Sequence, residues 1–223
     1  MKSFVSWSGG KDACFSYYKA VKDNNVEAKV FLNMVSEDGK ASRTHGISSR
    51  LLRSQAEAIG IPIVQKKTGW NQYETEFKKA SAEFKSQGIL TGVFGDIDLD
   101  EHRQWVERVC GESGINPVFP LWQKEREELL ADFIRAGFEA IVVSVNRNAL
   151  GSEWLGRKID ESFVSDLRKL KTVDLCGEAG EYHTFVYDGP VFKKRINILK
   201  TEKQKKEKNC FFNILEYEIT DKN

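Results

Sequence analysis

Residues 4–17 read FVSWSGGKDACFSY, and the fold turns on how that stretch is read. A short apolar run ends in Ser8-Gly9-Gly10-Lys11-Asp12. A segment with Cys14, Phe15, Tyr18 and Val21 on one helical face follows at once. A strand that feeds a helix through a glycine-rich turn is the arrangement of a phosphate loop. Gly9 and Gly10 let backbone amides approach an anion, the helix N-terminus adds partial positive charge, and Lys11 adds a full one. Ser8 supplies a hydroxyl donor. Asp12 would repel a phosphate unless a cation lay between them, which points to Mg²⁺. The familiar longer loop, Gly-x-x-x-x-Gly-Lys-Ser/Thr, is absent. The same residues also suit a plain tight turn with a capping serine; their position between the first strand and the first helix favours phosphate.

Outward from this turn, strand and helix alternate. Residues 3–7 read as the first strand, 12–24 as a helix, 28–35 as a second strand and 47–59 as a helix stopped by Gly60 and Pro62. A third strand is expected at 61–67, a helix at 73–86, a fourth strand at 89–95 and a helix at 100–112. A short extended piece at 117–122, a helix at 124–136 and a sixth strand at 140–145 complete the series. Such βαβ units imply an α/β fold, a doubly wound parallel sheet with helices on both faces. Ligands of these sheets sit beyond the carboxyl ends of the strands, so residues 8–12, 36–46 and 95–100 should share one rim. After about residue 146 the pattern changes to a loop and helix, then β-rich stretches at 183–199 and 210–219. Two domains are therefore expected, 1–146 and a smaller α+β unit at 147–223. The lysine-rich KTEKQKKEKN between the β-rich stretches reads as an exposed hairpin connection.

Composition narrows the function. The chain has 223 residues, with 34 Lys and Arg against 33 Asp and Glu, a balance that argues against nucleic acid as a partner. No apolar run approaches the roughly 18 residues of a membrane span, and no signal peptide is visible, so a cytoplasmic location is expected. Cys14, Cys110, Cys176 and Cys210 form no CxxC pair, the pattern of reduced thiols without a zinc site.

Four further stretches carry candidate chemistry. In CGEAGEYHTF, residues 176–185, Glu178 and Glu181 lie three apart in a loop that Gly177 and Gly180 open to close approach by a ligand. Paired carboxylates can hold Mg²⁺, position an amine or act as a general base; a polar turn before a strand is the plain alternative. In FGDIDLDEHRQW, Asp96 after Gly95 is best placed to face the site, one of Asp96, Asp98 and Asp100 should cap the next helix, and Arg103 is a candidate anion contact. His45 in SRTHGIS is placed to stack on a base or bind phosphate, and Arg157 in EWLGRKIDES to fix a substrate anion.

Ser8 to Asp12 resembles the PP-loop of the N-type ATP pyrophosphatases, which cleave ATP between the α and β phosphates. The family usually has Ser where this chain has Ala13. MVSED after the second strand, WLGRKIDES and CGEAGEYHTFVYDGPVFKKRI together resemble the diphthine–ammonia ligase family, over roughly residues 3–198. That resemblance implies amidation of a carboxylate on a modified histidine of elongation factor 2, with ATP, Mg²⁺ and ammonia. It places adenine by Met34 and Val35 with His45 close by, and Glu178 and Glu181 on the acceptor or ammonia side, with His183 a candidate substrate contact. Glu101 and His102 replace the family's Tyr and Gln before Arg103, and His183 replaces an acid, which implies a divergent branch also found in bacteria, which lack diphthamide. The readings left open are another carboxylate acceptor, sulfur transfer to RNA through Cys176, and a nucleotide sensor without turnover. The β-rich C-terminal part offers a surface for a homodimer.

Overall fold

The computed structural model describes residues 1–23, 25–43 and 45–222. Asn24, expected to end the first helix, lies outside them. Five short strands, β1 (Lys2–Ser6), β2 (Glu27–Val35), β3 (Ile63–Lys67), β4 (Thr91–Val93) and β5 (Asn116–Val118), form a parallel sheet in the order β3-β2-β1-β4-β5. The chain winds outward in both directions from β1. The helices α1 (Lys11–Asp23), α2 (Ser49–Ile59), α3 (Tyr73–Ser86) and α4 (Asp100–Ser113) connect the strands.

Side-chain alternation explains why both faces must be covered. Successive residues of a strand point to opposite sides, and here both sides are apolar. Val5 and Trp7 pack with Cys14, Leu51 and Leu52 from α1 and α2. Phe4, the residue before Val5, packs with Phe77 and Phe84 of α3 and Val109 of α4. The Trp7 and Phe31 rings stack at 3.8 Å on the first face. Phe4 meets Phe77, Phe84 and Phe94 within 6.1 Å on the second. A sheet buried on both faces reads as continuous apolar runs, as β1 and β2 do.

The sixth expected strand does not join this sheet. β6 (Glu139–Asn146), which follows α5 (Arg126–Arg135), pairs antiparallel with β7 (Tyr182–Asp188) and β9 (Asn209–Asp221). With β8 (Lys194–Lys205) they form a second sheet, β7-β6-β9-β8. Sheet membership thus changes between β5 and β6, ahead of the expected boundary at 146. The helix α6 (Glu161–Lys169) lies in the connection from β6 to β7. The lysine-rich segment is also not simply a loop: β8 runs through it to Lys205 and pairs with β9, leaving a short turn. Alternating residues such as Lys203 and Lys205 are compatible with a solvated strand, and composition alone did not separate that from a connection. No helix among the described residues is long and apolar enough to cross a membrane.

Candidate active site

The phosphate loop is held in shape by the second sheet. Gly9 has φ +81°, and a β-carbon there would lie 2.3 Å from Leu52 Cδ2, so only glycine fits. The Gly9 carbonyl accepts from the Val186 amide at 3.0 Å and from Gln55 Nε2 at 3.0 Å. Gln55, fully buried on α2, also donates from Nε2 to the Val186 carbonyl at 2.6 Å, and its Oε1 accepts from Trp7 Nε1 at 2.9 Å. The Lys11 amide, one of the helix-terminal donors without an intrahelical partner, donates to Thr184 Oγ1 at 2.9 Å. Strand β7 therefore lies directly against the turn. Replacing Gln55 by Leu strands the Trp7 indole donor and is expected to cost about 2 kcal/mol, or roughly 4–8 °C in Tm, by thermal denaturation.

Lys11 is buried at 4% exposure. Its Nζ donates to Asp12 Oδ1 and Oδ2 at 2.7 and 2.8 Å and to the Cys176 carbonyl at 2.5 Å. Burial opposes its charge most strongly, but Asp12, Tyr182 and Cys176 together outweigh it and keep the ammonium protonated well past the usual lysine range. The loop is thus a fixed cation with a partly exposed carboxylate beside it.

Around it opens a cleft of about 310 Å³, at the carboxyl ends of β1, β2 and β4. The 176–184 segment forms one wall with Glu178, Gly180 and His183. Met34 comes from the end of β2 and Arg43 and His45 from the segment after it, Gly95 and Asp96 from the segment after β4, and His102 from the first turn of α4. The Glu178 carboxyl is pushed up to about 7, by burial first and then by the Asp12 carboxylate, with Lys11 partly offsetting. The His45 and His183 rings lie 4.4 Å apart. Burial, followed by repulsion from His183 and Lys11, holds His45 well below the ordinary histidine range. Burial and Lys11 bring His183 to about 4, so both imidazoles are neutral at pH 7.

A polar clamp fixes the glutamate loop. Arg126, the first residue of α5, donates Nε and Nη2 to the two Asp98 oxygens at 2.8 and 2.7 Å and Nη1 to Asp174. Asp174 Oδ1 accepts from the Cys176 amide at 2.6 Å, and the Asp174 amide donates to Glu181 Oε1 at 3.1 Å. One arginine thereby ties the segment after β4 to the segment before β7.

Residues 1–117 match the family model described as diphthamide synthase N-terminal domain, and residues 125–219 match the diphthamide synthase C-terminal domain. The chain belongs to the diphthamide synthase family. The diphthine–ammonia ligase of Schizosaccharomyces pombe is 30% identical over 91% of this chain, which spans 37% of that longer protein. The diphthine–ammonia ligase of Rattus norvegicus is 29% identical over 87% of this chain and 82% of its own length. Among solved structures, a predicted subunit of tRNA methyltransferase from Methanocaldococcus jannaschii covers 85% of this chain and 98% of its own, at TM-score 0.46 and 14% identity.

In this diphthamide synthase family member the join between the two family domains falls at 118–124, immediately before Arg126, where the sheets also change. The fold brings Ser8, Lys11, Asp12, Met34, His45, Gly95, Asp96, Gly177, Glu178, Gly180 and His183 to the cleft. Gly9 and Gly10 back the loop instead; a β-carbon on Gly10 would sit 2.9 Å from His45 Nε2. Val35 is buried and is not a wall of the cleft. Glu181 is likewise buried: its Oε1 holds the Asp174 amide and its Oε2 has no hydrogen-bond partner, so only Glu178 of the pair lines the cleft.

Two arginines stand apart. Arg103 donates to Glu107 Oε1 at 2.6 Å and stacks on Phe119 and Trp122. Arg157 donates to Asp166 Oδ2 at 2.9 Å and stacks on Trp154. Neither lines the cleft, because each has a nearby carboxylate and aromatic face to satisfy it. Sequence reasoning missed Gln55, Arg43, Tyr73, Arg126 and Thr184. Tyr73, pushed up to about 12 by burial and then by the Asp96 charge, lines the cleft from the start of α3. Its position there depends on packing against Trp105, 5.7 Å away and far along the chain.

Proposed function

We propose that this protein is an ATP-dependent, AMP-forming amide ligase that acts as its relatives' name describes, joining ammonia to diphthine on elongation factor 2. The observation that carries the reading is the meeting of Lys11 and Glu178 in one cleft: a buried cation on a phosphate loop, and a carboxyl whose proton leaves near neutral pH.

A carboxylate resists direct amidation because its leaving group is oxide. Attack by the acceptor carboxylate on the α-phosphorus of ATP forms one P–O bond and breaks the bond to the β-phosphate, releasing pyrophosphate. Ammonia then attacks the acyl carbon, the C–O bond breaks, and AMP leaves. Lys11 and the first-turn amides of α1 take up the charge on departing pyrophosphate. Glu178, ionised above about pH 7, accepts a proton from the attacking nitrogen. Met34 supplies an apolar cleft wall for the base.

No cluster of three or more His, Cys, Asp or Glu among the described residues would cage a metal. Mg²⁺ in phosphate chemistry commonly rests on one or two carboxylates with substrate phosphates and water. Asp12, whose side chain is 32% exposed at the loop, fits that pattern. Mg²⁺ held there would supply charge neutralisation of the phosphates.

Sulfur transfer finds less support. Its nucleophile would be Cys176, but burial pushes that thiol up to about 12, and its Sγ donates to the Arg126 carbonyl at 3.3 Å. A thiol held protonated is a weak nucleophile. Another carboxylate acceptor would use the same ATP chemistry. The test is product analysis with ATP, ammonia and diphthine-bearing elongation factor 2. AMP, pyrophosphate and amidated factor are expected in equal amounts; ADP and phosphate would overturn the reading.

A further inference from the structure

Arg126 is not a wall of the cleft, yet two of the cleft's acid-bearing walls are anchored on its guanidinium. Its Nε and Nη2 hold Asp98, two residues beyond Asp96, and its Nη1 holds Asp174, four residues before Glu178. We propose that Arg126 is a positioning residue for the reaction: it fixes the segment after β4 and the glutamate loop in the arrangement that seats the Cys176 carbonyl on Lys11 and Glu178 in the cleft. The inference rests on the amide-ligase reading and adds to it a residue that acts without touching substrate.

The path from Arg126 to Lys11 is short. Arg126 reaches Cys176 from two sides. Its side chain acts through Asp174, whose Oδ1 accepts from the Cys176 amide at 2.6 Å, and its carbonyl accepts from Cys176 Sγ at 3.3 Å. The Cys176 carbonyl then accepts from Lys11 Nζ at 2.5 Å. Past Cys176 the loop folds back on itself. The Gly177 amide donates to the Asp174 carbonyl at 3.2 Å, and the Gly180 amide to the Gly177 carbonyl at 3.0 Å. Tyr182 Oη closes the loop by donating to the Leu175 carbonyl at 2.5 Å. Glu178 lies inside these turns, so its place in the cleft is set by the loop that Asp174 anchors.

The clamp needs an arginine. The Asp174 side chain is only 7% exposed, and a buried carboxylate left without a partner is costly. A planar guanidinium can offer two donors to one carboxylate and a third to another, which a lysine ammonium cannot match in fixed geometry. The root of the side chain is fixed as well. Glu125 caps α5 by accepting from the Glu128 amide at 2.8 Å, and Leu129, Leu130 and Phe133 bury the helix. The clamp also crosses the join between the two family domains, with Asp98 on one side and Arg126 and Asp174 on the other. Arg108 makes a comparable fork, to Glu74 at 2.9 and 2.6 Å and to Glu112 at 3.1 Å, but neither of those carboxylates lines the cleft.

The test compares the two arginines. Tm is measured for wild type, Arg126→Gln, Arg126→Lys and Arg108→Gln, and kcat and the KM for ATP are then measured below each melting transition, with ammonia and diphthine-bearing elongation factor 2. Arg126→Gln is expected to lower kcat by about 10²-fold with the KM for ATP within about twofold, because Lys11 keeps both Asp12 contacts while alignment is lost. Arg126→Lys, which keeps the charge without the fork, is expected to lose about tenfold in kcat, and Arg108→Gln to match wild type. A folded Arg126→Gln with kcat within about threefold of wild type, or with only the KM for ATP raised, would overturn the positioning role and leave the ligase reading in place. If Arg126→Gln does not fold, Arg126→Lys decides: a wild-type kcat overturns the role, and a tenfold loss at unchanged KM for ATP supports it. Wild-type protein that forms no AMP with this acceptor would overturn the ligase reading, and the positioning role with it.

Discussion

Lys11→Met is expected to lower kcat for AMP formation by about 10²–10³-fold, roughly 3–4 kcal/mol of transition-state stabilisation. The residue is not a mobile surface cation that salt or a neighbour replaces. Three contacts, to both Asp12 oxygens and the Cys176 carbonyl, fix its ammonium in a buried position. A donor fixed in advance needs no reorganisation as charge builds on the departing group, and its low-dielectric setting strengthens the interaction. Methionine keeps the stem and removes the charge. If Lys11 held ATP equally well before and during reaction, only KM would rise. A kcat within about threefold of wild type, in a folded variant, would show that the charge is not used in the chemical step.

The pH profile should follow Glu178. Its carboxyl keeps its proton until about pH 7 because burial and Asp12 both disfavour the ionised form. The base is the deprotonated form, so activity is lost as pH falls through that value and is full above it. With free ammonia held constant, kcat/KM should fall about tenfold per unit below pH 7. Glu178→Gln should abolish this limb and reduce the rate by about 10²–10⁴-fold. Asp12→Asn removes one cause of the shift and should move the limb to lower pH in whatever activity remains. A limb that persists unchanged in Glu178→Gln would assign the titration to another group.

How much of this was legible varied with how local the cause was. The phosphate loop was readable because strand, glycines and helix start are contiguous and each acts through its own backbone. The parallel sheet was readable because both faces of β1 and β2 are apolar. Arg103 and Arg157 misled because a guanidinium in a rim segment has the same sequence signature whether it waits for an anion or stacks on a tryptophan. Glu181 misled for a related reason: spacing in a glycine loop does not say which carboxylate turns inward. Strand six was correct as a strand, but an apolar run such as AIVVSV carries no mark of the sheet it will join.

The sequence by itself determined the glycine turn between β1 and α1, the charge placed beside it, and the α/β order that carries it to a sheet rim. These follow from neighbouring residues, whose geometry is set by φ/ψ freedom, periodicity and helix termini. Only the tertiary structure decided that β7 would lie on that turn, that Gln55 would bind Gly9 to Val186, and that Arg126 would draw the glutamate loop to the same cleft. Those contacts join residues from 28 to 173 positions apart. They form because buried polar groups must find partners, and which partners are within reach is a property of the packed chain rather than of any stretch within it.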